Sequence, residues 1–312
     1  MPIFLATGRS PLPRGRALGN TPDVKRIVIL AGAGALAGAG AMLAGRRARP
    51  SGAAAAAVPT QIATDVFCVG PWGRTQTNVY LLRAGASWVL VDAGWEQDGE
   101  RIRSAVRSVA GPETDPSAIL LTHVHPDHAG AARELAATWG CPVLVHPAEI
   151  PIATGDFGAM ARYAGPMDRW LILPLMRAIG RRRREAILEA GSLAGSVRPL
   201  GLDGSIPGVD GWRWVHTPGH TPGHVAFVRA LDRVVISGDA LLTLRVNAVA
   251  GLLWGSQGLS APPWYTTWDR DAARASIRAV AGLEPSVLGG GHGRPLTGPE
   301  TAAAVREFAA RT

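Results

Sequence analysis

Four residues able to bind a metal ion fall within six positions: His123, His125, Asp127 and His128, in the stretch Leu120-Leu121-Thr122-His123-Val124-His125-Pro126-Asp127-His128-Ala129-Gly130. Imidazole nitrogen joined by one carboxylate suits zinc better than calcium or magnesium, which prefer shells of oxygen. The apolar Ala118-Ile119-Leu120-Leu121 before the cluster predicts a buried strand, and the alanine-rich segment 129–135 after it predicts a helix. Such a strand-to-helix turn is where α/β sheets place chemistry, beyond the carboxyl ends of strands. His123 and His125 are expected to project together from the extended part of the turn. Asp127 and His128 follow where the chain bends, so they can face a second point a few Å away. One short loop therefore offers half-shells for two neighbouring cations.

Three later stretches repeat the pattern of an apolar run ending in a potential ligand. Trp212-Arg213-Trp214-Val215 leads into His216-Thr217-Pro218-Gly219-His220-Thr221-Pro222-Gly223-His224. The two Pro-Gly pairs predict tight turns that bring backbone close to a ligand. His220, held between them, is the expected ligand, and His216 and His224 are expected to support or pack. Val234-Val235-Ile236-Ser237-Gly238-Asp239 ends in a carboxylate whose two oxygens could bridge two metals, and Val287 to Gly291 ends in His292. Asp92 closes the apolar Trp88-Val89-Leu90-Val91 and needs a partner if buried. It reads either as a hydrogen-bond acceptor for a metal-binding histidine or as a simple turn cap.

The elements that must position these residues alternate between strand and helix. Ile62 to Val69, Asn78 to Leu82 and Trp88 to Asp92 have strand character, and Arg101 to Ala110 has helical spacing. Pro142 to Val145 predicts a strand ending at His146, and 269–283 and 299–310 predict helices. Residues 151–198 break the rhythm. Their apolar residues, from Met160 to Ile179, and the run Arg181-Arg182-Arg183-Arg184 predict a mostly helical insertion that caps the site and selects substrate.

The 312 residues carry a net charge of +8, nearly all from arginine, since Lys25 is the only lysine. Arginine-for-lysine exchange with heavy Ala and Gly use reads as genome composition, and no aromatic-and-basic strip argues for nucleic acid. Cys68 and Cys141 cannot form a disulfide framework or a thiolate zinc site. Residues 1–58 are expected to be a disordered tail and linker. Within it the uncharged run 27–45 is a membrane anchor, the apolar core of an export signal, or appended sequence from an upstream start. The expectation is membrane association through 27–45, with a cytoplasmic or exported protein as the alternative. Residues 59–312 form the folded domain.

His123-Val124-His125-Pro126-Asp127-His128, followed by His220, Asp239 and His292, resembles the metallo-β-lactamase superfamily, and the match runs from about residue 60 to the end. The resemblance implies an αββα sandwich of two mixed sheets with helices outside and a helical cap insertion. It implies two Zn2+ per chain, with Fe or Mn as substitutes: one held by His123, His125 and His220, the other by Asp127, His128 and His292, with Asp239 bridging. Asp239 at the bridging position, and the doubled Pro-Gly-His of 216–227, are similar to the glyoxalase II-like and lactonase-like branches. The implied activity is cleavage of an ester, lactone or thioester by a metal-bridging hydroxide, with Asp127 as ligand and catalytic proton carrier. An iron-dependent sulfur dioxygenase and a phosphodiesterase or nuclease of the same superfamily are the alternatives. The expected partner is a small-molecule substrate, with no nucleic acid.

Overall fold

The computed structural model describes residues 58–312, so the predicted tail and the run 27–45 lie outside the described residues. Two β-sheets stack face to face. The first has seven strands in chain order: β1 (Thr60–Ala63), β2 (Val66–Trp72), β3 (Thr77–Ala84), β4 (Ser87–Val91), β5 (Ala118–Leu120), β6 (Val143–Val145) and β7 (Val197–Pro199). Strands β1 to β4 pair antiparallel and β4 to β7 pair parallel. The second sheet takes β8 (Trp212–His216), β9 (Val225–Arg229) and β10 (Val234–Gly238). Beyond the small pair β11 (Leu242–Leu244) and β12 (Gln257–Ser260), it continues with β13 (Val287–Gly290) and β14 (Leu296–Thr297), in the order β14-β13-β10-β9-β8.

The two-residue period of the strands explains the layering. In β3, Tyr80 and Leu82 enter the core between the sheets, whereas Val79 and Leu81 face the outer helices. In β10, Val234 and Ile236 point inward and Val235 outward. The outer face of the first sheet is covered by α1 (Gly99–Ala110) and, past the metal loop's short α2 (Pro126–Ala129), by α3 (Ala132–Trp139). Between β6 and β7 lie α4 (Ile150–Ala153), α5 (Phe157–Arg162), a π-helical turn over Asp168–Ile172, α6 (Leu173–Ala178) and α7 (Arg181–Gly191). The remaining helices are α8 (Val249–Trp254), α9 (Arg270–Gly282) and α10 (Thr301–Ala310), the last two covering the second sheet. The chain is thus an αββα sandwich.

Three sequence expectations shift. The single strand over 62–69 is two strands, because Asp65 turns the chain at a φ of 58° between β1 and β2. The helix expected from Ala129 begins at Ala132: the short α2 ends at Ala129, and Gly130, where a Cβ would strike the backbone of Trp95 and Glu96, and Ala131 separate the two. The helical insertion over 151–198 stops at Gly191, and Val197 and Arg198 belong to β7. Parallel β6 and β7 need a crossover between them, and the cap is that crossover.

Candidate metal centre

Each ligand stands past the end of a strand, all at one edge of the sandwich. The loop after β5 stays extended through His125, which has φ −68° and ψ 152° because a following proline disfavours the helical region. Pro126 then opens α2 at a position that needs no amide hydrogen, and Asp127 and His128 turn away on the helix. The two pairs thereby face different points. The loop between β8 and β9 supplies His220. It is pinned from α9's side by the Trp268 amide on the His220 carbonyl (3.3 Å) and the Asp269 amide on the Gly219 carbonyl (2.9 Å). Asp239 follows β10, and His292 follows β13.

The structure brings the seven residues into overlapping groups: His123, His125 and His220; His123, His128 and Asp239; Asp127, His128 and His292. His123 Nε2 lies 3.1 Å from His125 Nδ1, which lies 2.9 Å from His220 Nε2. Nitrogens around one tetrahedral zinc at 2.0–2.1 Å would stand about 3.3 Å apart, so this trio is spaced for one ion. Asp239 Oδ2 is 3.3 Å from His220 Nε2, while its Oδ1 is 3.3 Å from His128 Nε2 and 3.5 Å from His292 Nε2. One carboxylate therefore faces both halves of the cluster. Asp127 Oδ2 is 3.4 Å from His292 Nε2.

Hydrogen bonds behind the ligands set their tautomers. His128 Nδ1–H donates to Asp92 Oδ2 at 2.8 Å. Thr122 donates its hydroxyl to the same carboxylate, at 2.9 Å to Oδ2, and so receives His123 Nδ1–H at 3.1 Å. His292 Nδ1–H donates to the Thr75 carbonyl at 2.8 Å. The Thr267 hydroxyl donates to the Pro263 carbonyl at 2.7 Å, leaving its oxygen to accept His220 Nδ1–H at 3.4 Å. In all four rings the Nε2 lone pair is left for the centre. His224 is not a ligand: its Nε2 accepts the Asp239 amide at 3.0 Å and its Nδ1 bonds Thr217. His216 stacks on His146 with rings 4.4 Å and 6° apart.

The donor chemistry fits a pair of cations. His128 Nε2 and Asp239 Oδ1 are buried polar atoms without a hydrogen-bond partner, a costly state unless something else satisfies them. Burial pushes the His123 and His220 rings well below the ordinary histidine value, and the neighbouring histidines add to this. Burial also opposes charge on His128 and His292. The carboxylates override it, with Asp239 foremost, lifting His128 well above its usual range and His292 to about 10. The acids thus call for positive charge here, which divalent cations would supply.

Glu149 was not anticipated from the sequence. It is fully buried after the turn that follows β6; its Oε2 accepts the Val124 amide at 3.1 Å and its Oε1 the Gly223 amide at 2.8 Å. One carboxylate so ties the His123–His125 loop to the His220 loop. The only signal was an acid three residues past a strand-end histidine. Thr75 and Thr267 gave none, lying in irregular loops.

The metallo-beta-lactamase superfamily profile matches residues 72–292. The probable metallo-hydrolase YflN of Bacillus subtilis (strain 168) is 36% identical over 239 residues, covering 75% of this chain and 87% of YflN. The uncharacterized protein ML0493 of Mycobacterium leprae (strain TN) is 30% identical over 233 residues, covering 73% of this chain and 91% of ML0493. The solved structure of the metallo-beta-lactamase family protein TTHA1429 from Thermus thermophilus superimposes with a TM-score of 0.54 over 80% of each chain at 24% identity, a likeness of fold. The chain belongs to the metallo-beta-lactamase superfamily. Within it, the chain is a metal-dependent hydrolase.

Proposed function

We propose that the chain hydrolyses a carboxylic ester, lactone or thioester at a centre of two zinc ions, in the manner of the glyoxalase II-like and lactonase-like branches. The observation that carries this reading is Asp239, whose two oxygens face His220 on one side and His128 and His292 on the other. His123, His125 and His220 would hold one ion; Asp127, His128 and His292 would hold the other. When bound, such ions supply Lewis acidity and bring the pKa of water toward neutrality.

The chain's own residues do the positioning. Asp92, Thr122, Thr75 and Thr267 lock the rings, so no ordering is needed when substrate arrives. Asp127 is the least buried of the three acids at the centre, placed to take a proton from water or hand one to a leaving group. A cavity of about 350 Å³ beside Thr267 is lined by Arg169, Trp170, Trp268 and Arg270.

The test is metal analysis of the full chain with aryl-ester, lactone and thioester assays. About two zinc ions per chain and turnover of one of these substrates are expected. Iron with oxygen uptake would replace the proposal by a sulfur dioxygenase, and metal-replete protein inert on all three substrates would reject it.

A further inference from the structure

The edge that gathers the ligands also exposes large apolar side chains. Trp170 is 80% exposed on the cap, with Leu171 and Leu175 beside it. On α8, Trp254 is 77% exposed, next to Leu253. Exposed Trp264 links the two groups. Its amide donates to Asn247 Oδ1 at 3.1 Å, just before α8, and adjacent Tyr265 accepts the Met167 amide at 2.7 Å, just before Trp170. Indoles and leucines gathered in this way mark an interaction surface.

Charge says what meets it. Residues 166–184 hold six arginines and one acid, Asp168. Arg169, Arg177, Arg182 and Arg183 make no ion pair among the described residues. The direction of the chain agrees. Strand β1 runs antiparallel to β2, with Thr60 opposite Cys68 and Ala63 opposite Val66, and β2 ends at Trp72 on the ligand edge. The chain before Thr60 therefore arrives from that edge. Upstream stands the uncharged run 27–45, flanked by Lys25-Arg26 and Arg46-Arg47. Residues 46–57 could bridge up to about 40 Å when extended.

We propose that this edge docks on an anionic lipid bilayer. Trp170, Leu171 and Trp254 enter the boundary between headgroups and acyl chains, and the cap arginines meet lipid phosphate. The mouth of the metal centre then faces the lipid.

The test places an environment-sensitive nitrobenzoxadiazole label on Leu171→Cys in the full chain, with Leu231→Cys as control. Leu231 lies in the β9–β10 turn at the opposite edge, and native Cys68 and Cys141 are buried. With vesicles of equal phosphatidylglycerol and phosphatidylcholine, emission at position 171 should rise on the order of threefold and shift to the blue, as for a probe entering the interface. The rise should be smaller on pure phosphatidylcholine, smaller again with Arg182→Ser and Arg183→Ser, and absent at position 231. Protein that fails to sediment with the vesicles, an unchanged probe at 171 on sedimented protein, or an equal rise at 231 would overturn the proposal. A rise with protein concentration alone would also overturn it and assign the surface to a second copy of the chain.

Discussion

Asp92 and His128, 36 positions apart, are joined by a 2.8 Å hydrogen bond inside the protein, and the same carboxylate takes both the amide and the hydroxyl of Thr122. Thr122 in turn receives His123, so one acid orients a ligand in each half of the centre. In Asp92→Asn the amide nitrogen that replaces Oδ2 cannot accept His128 Nδ1–H, while Oδ1 still takes the Thr122 amide and hydroxyl. Metal affinity should fall about 10- to 100-fold, read by competition with a chromogenic chelator. An unchanged affinity would reduce Asp92 to a turn residue.

Glu149 makes a separable contribution. Its two oxygens each accept a buried amide, from Val124 and Gly223, which belong to different ligand loops. Glu149→Ala leaves both amides without partners, which should cost about 1–3 kcal/mol each. Glu149→Gln keeps one acceptor and should lose less. Hydrogen exchange should quicken at both Val124 and Gly223 in Glu149→Ala and at one of the two in Glu149→Gln, ahead of exchange in β3 and β10; equal quickening throughout would make Glu149 a general stabiliser instead.

The ligands were legible because each follows an apolar run that stops abruptly, a pattern written in consecutive residues. Asp92 was legible for the same reason, as an acid closing Trp88 to Val91. Glu149, Thr75 and Thr267 were not. Each acts through hydrogen bonds to residues 25 to 217 positions away, and no local period records such contacts. The layering could be read from the strands, but the end of the cap could not, since a three-residue β7 at the sheet's edge is too short to show alternation.

Gly291 tests the centre without touching a ligand. A Cβ there would collide with Asp239 Oδ1 and stand 2.7 Å from His128 Cε1. Both neighbours are buried and held, His128 by Asp92 and Asp239 by its own strand end, so neither can yield cheaply. Gly291→Ala should displace the Asp239 carboxylate and lower metal content from about two ions toward one per chain, with far-ultraviolet circular dichroism unchanged. Two ions retained at wild-type affinity would show that Asp239 has room to move.

His146, stacked on His216, gives the fold a pH dependence of definite sign. Burial, and then the neighbouring His216, push His146 down to about 4 from the ordinary 6.5. The neutral ring accepts the Ala148 amide at Nδ1, which a protonated ring cannot do. The unfolded chain therefore takes up a proton first as pH falls. The stabilisation is complete above pH 6.5 and is lost between there and about pH 4. His146→Asn keeps an acceptor for the Ala148 amide, as asparagine caps well, and removes the titration. Its melting temperature should match the parent's above pH 7 within a few degrees, roughly what one lost contact costs. Between pH 6.5 and 4 it should decline less steeply than the parent, whose buried His224, pushed down to about 3, titrates with the same sign in both proteins. Thermal melts of the metal-loaded proteins across that range decide it: parallel curves would place the acid sensitivity in buried groups other than His146, His224 among them.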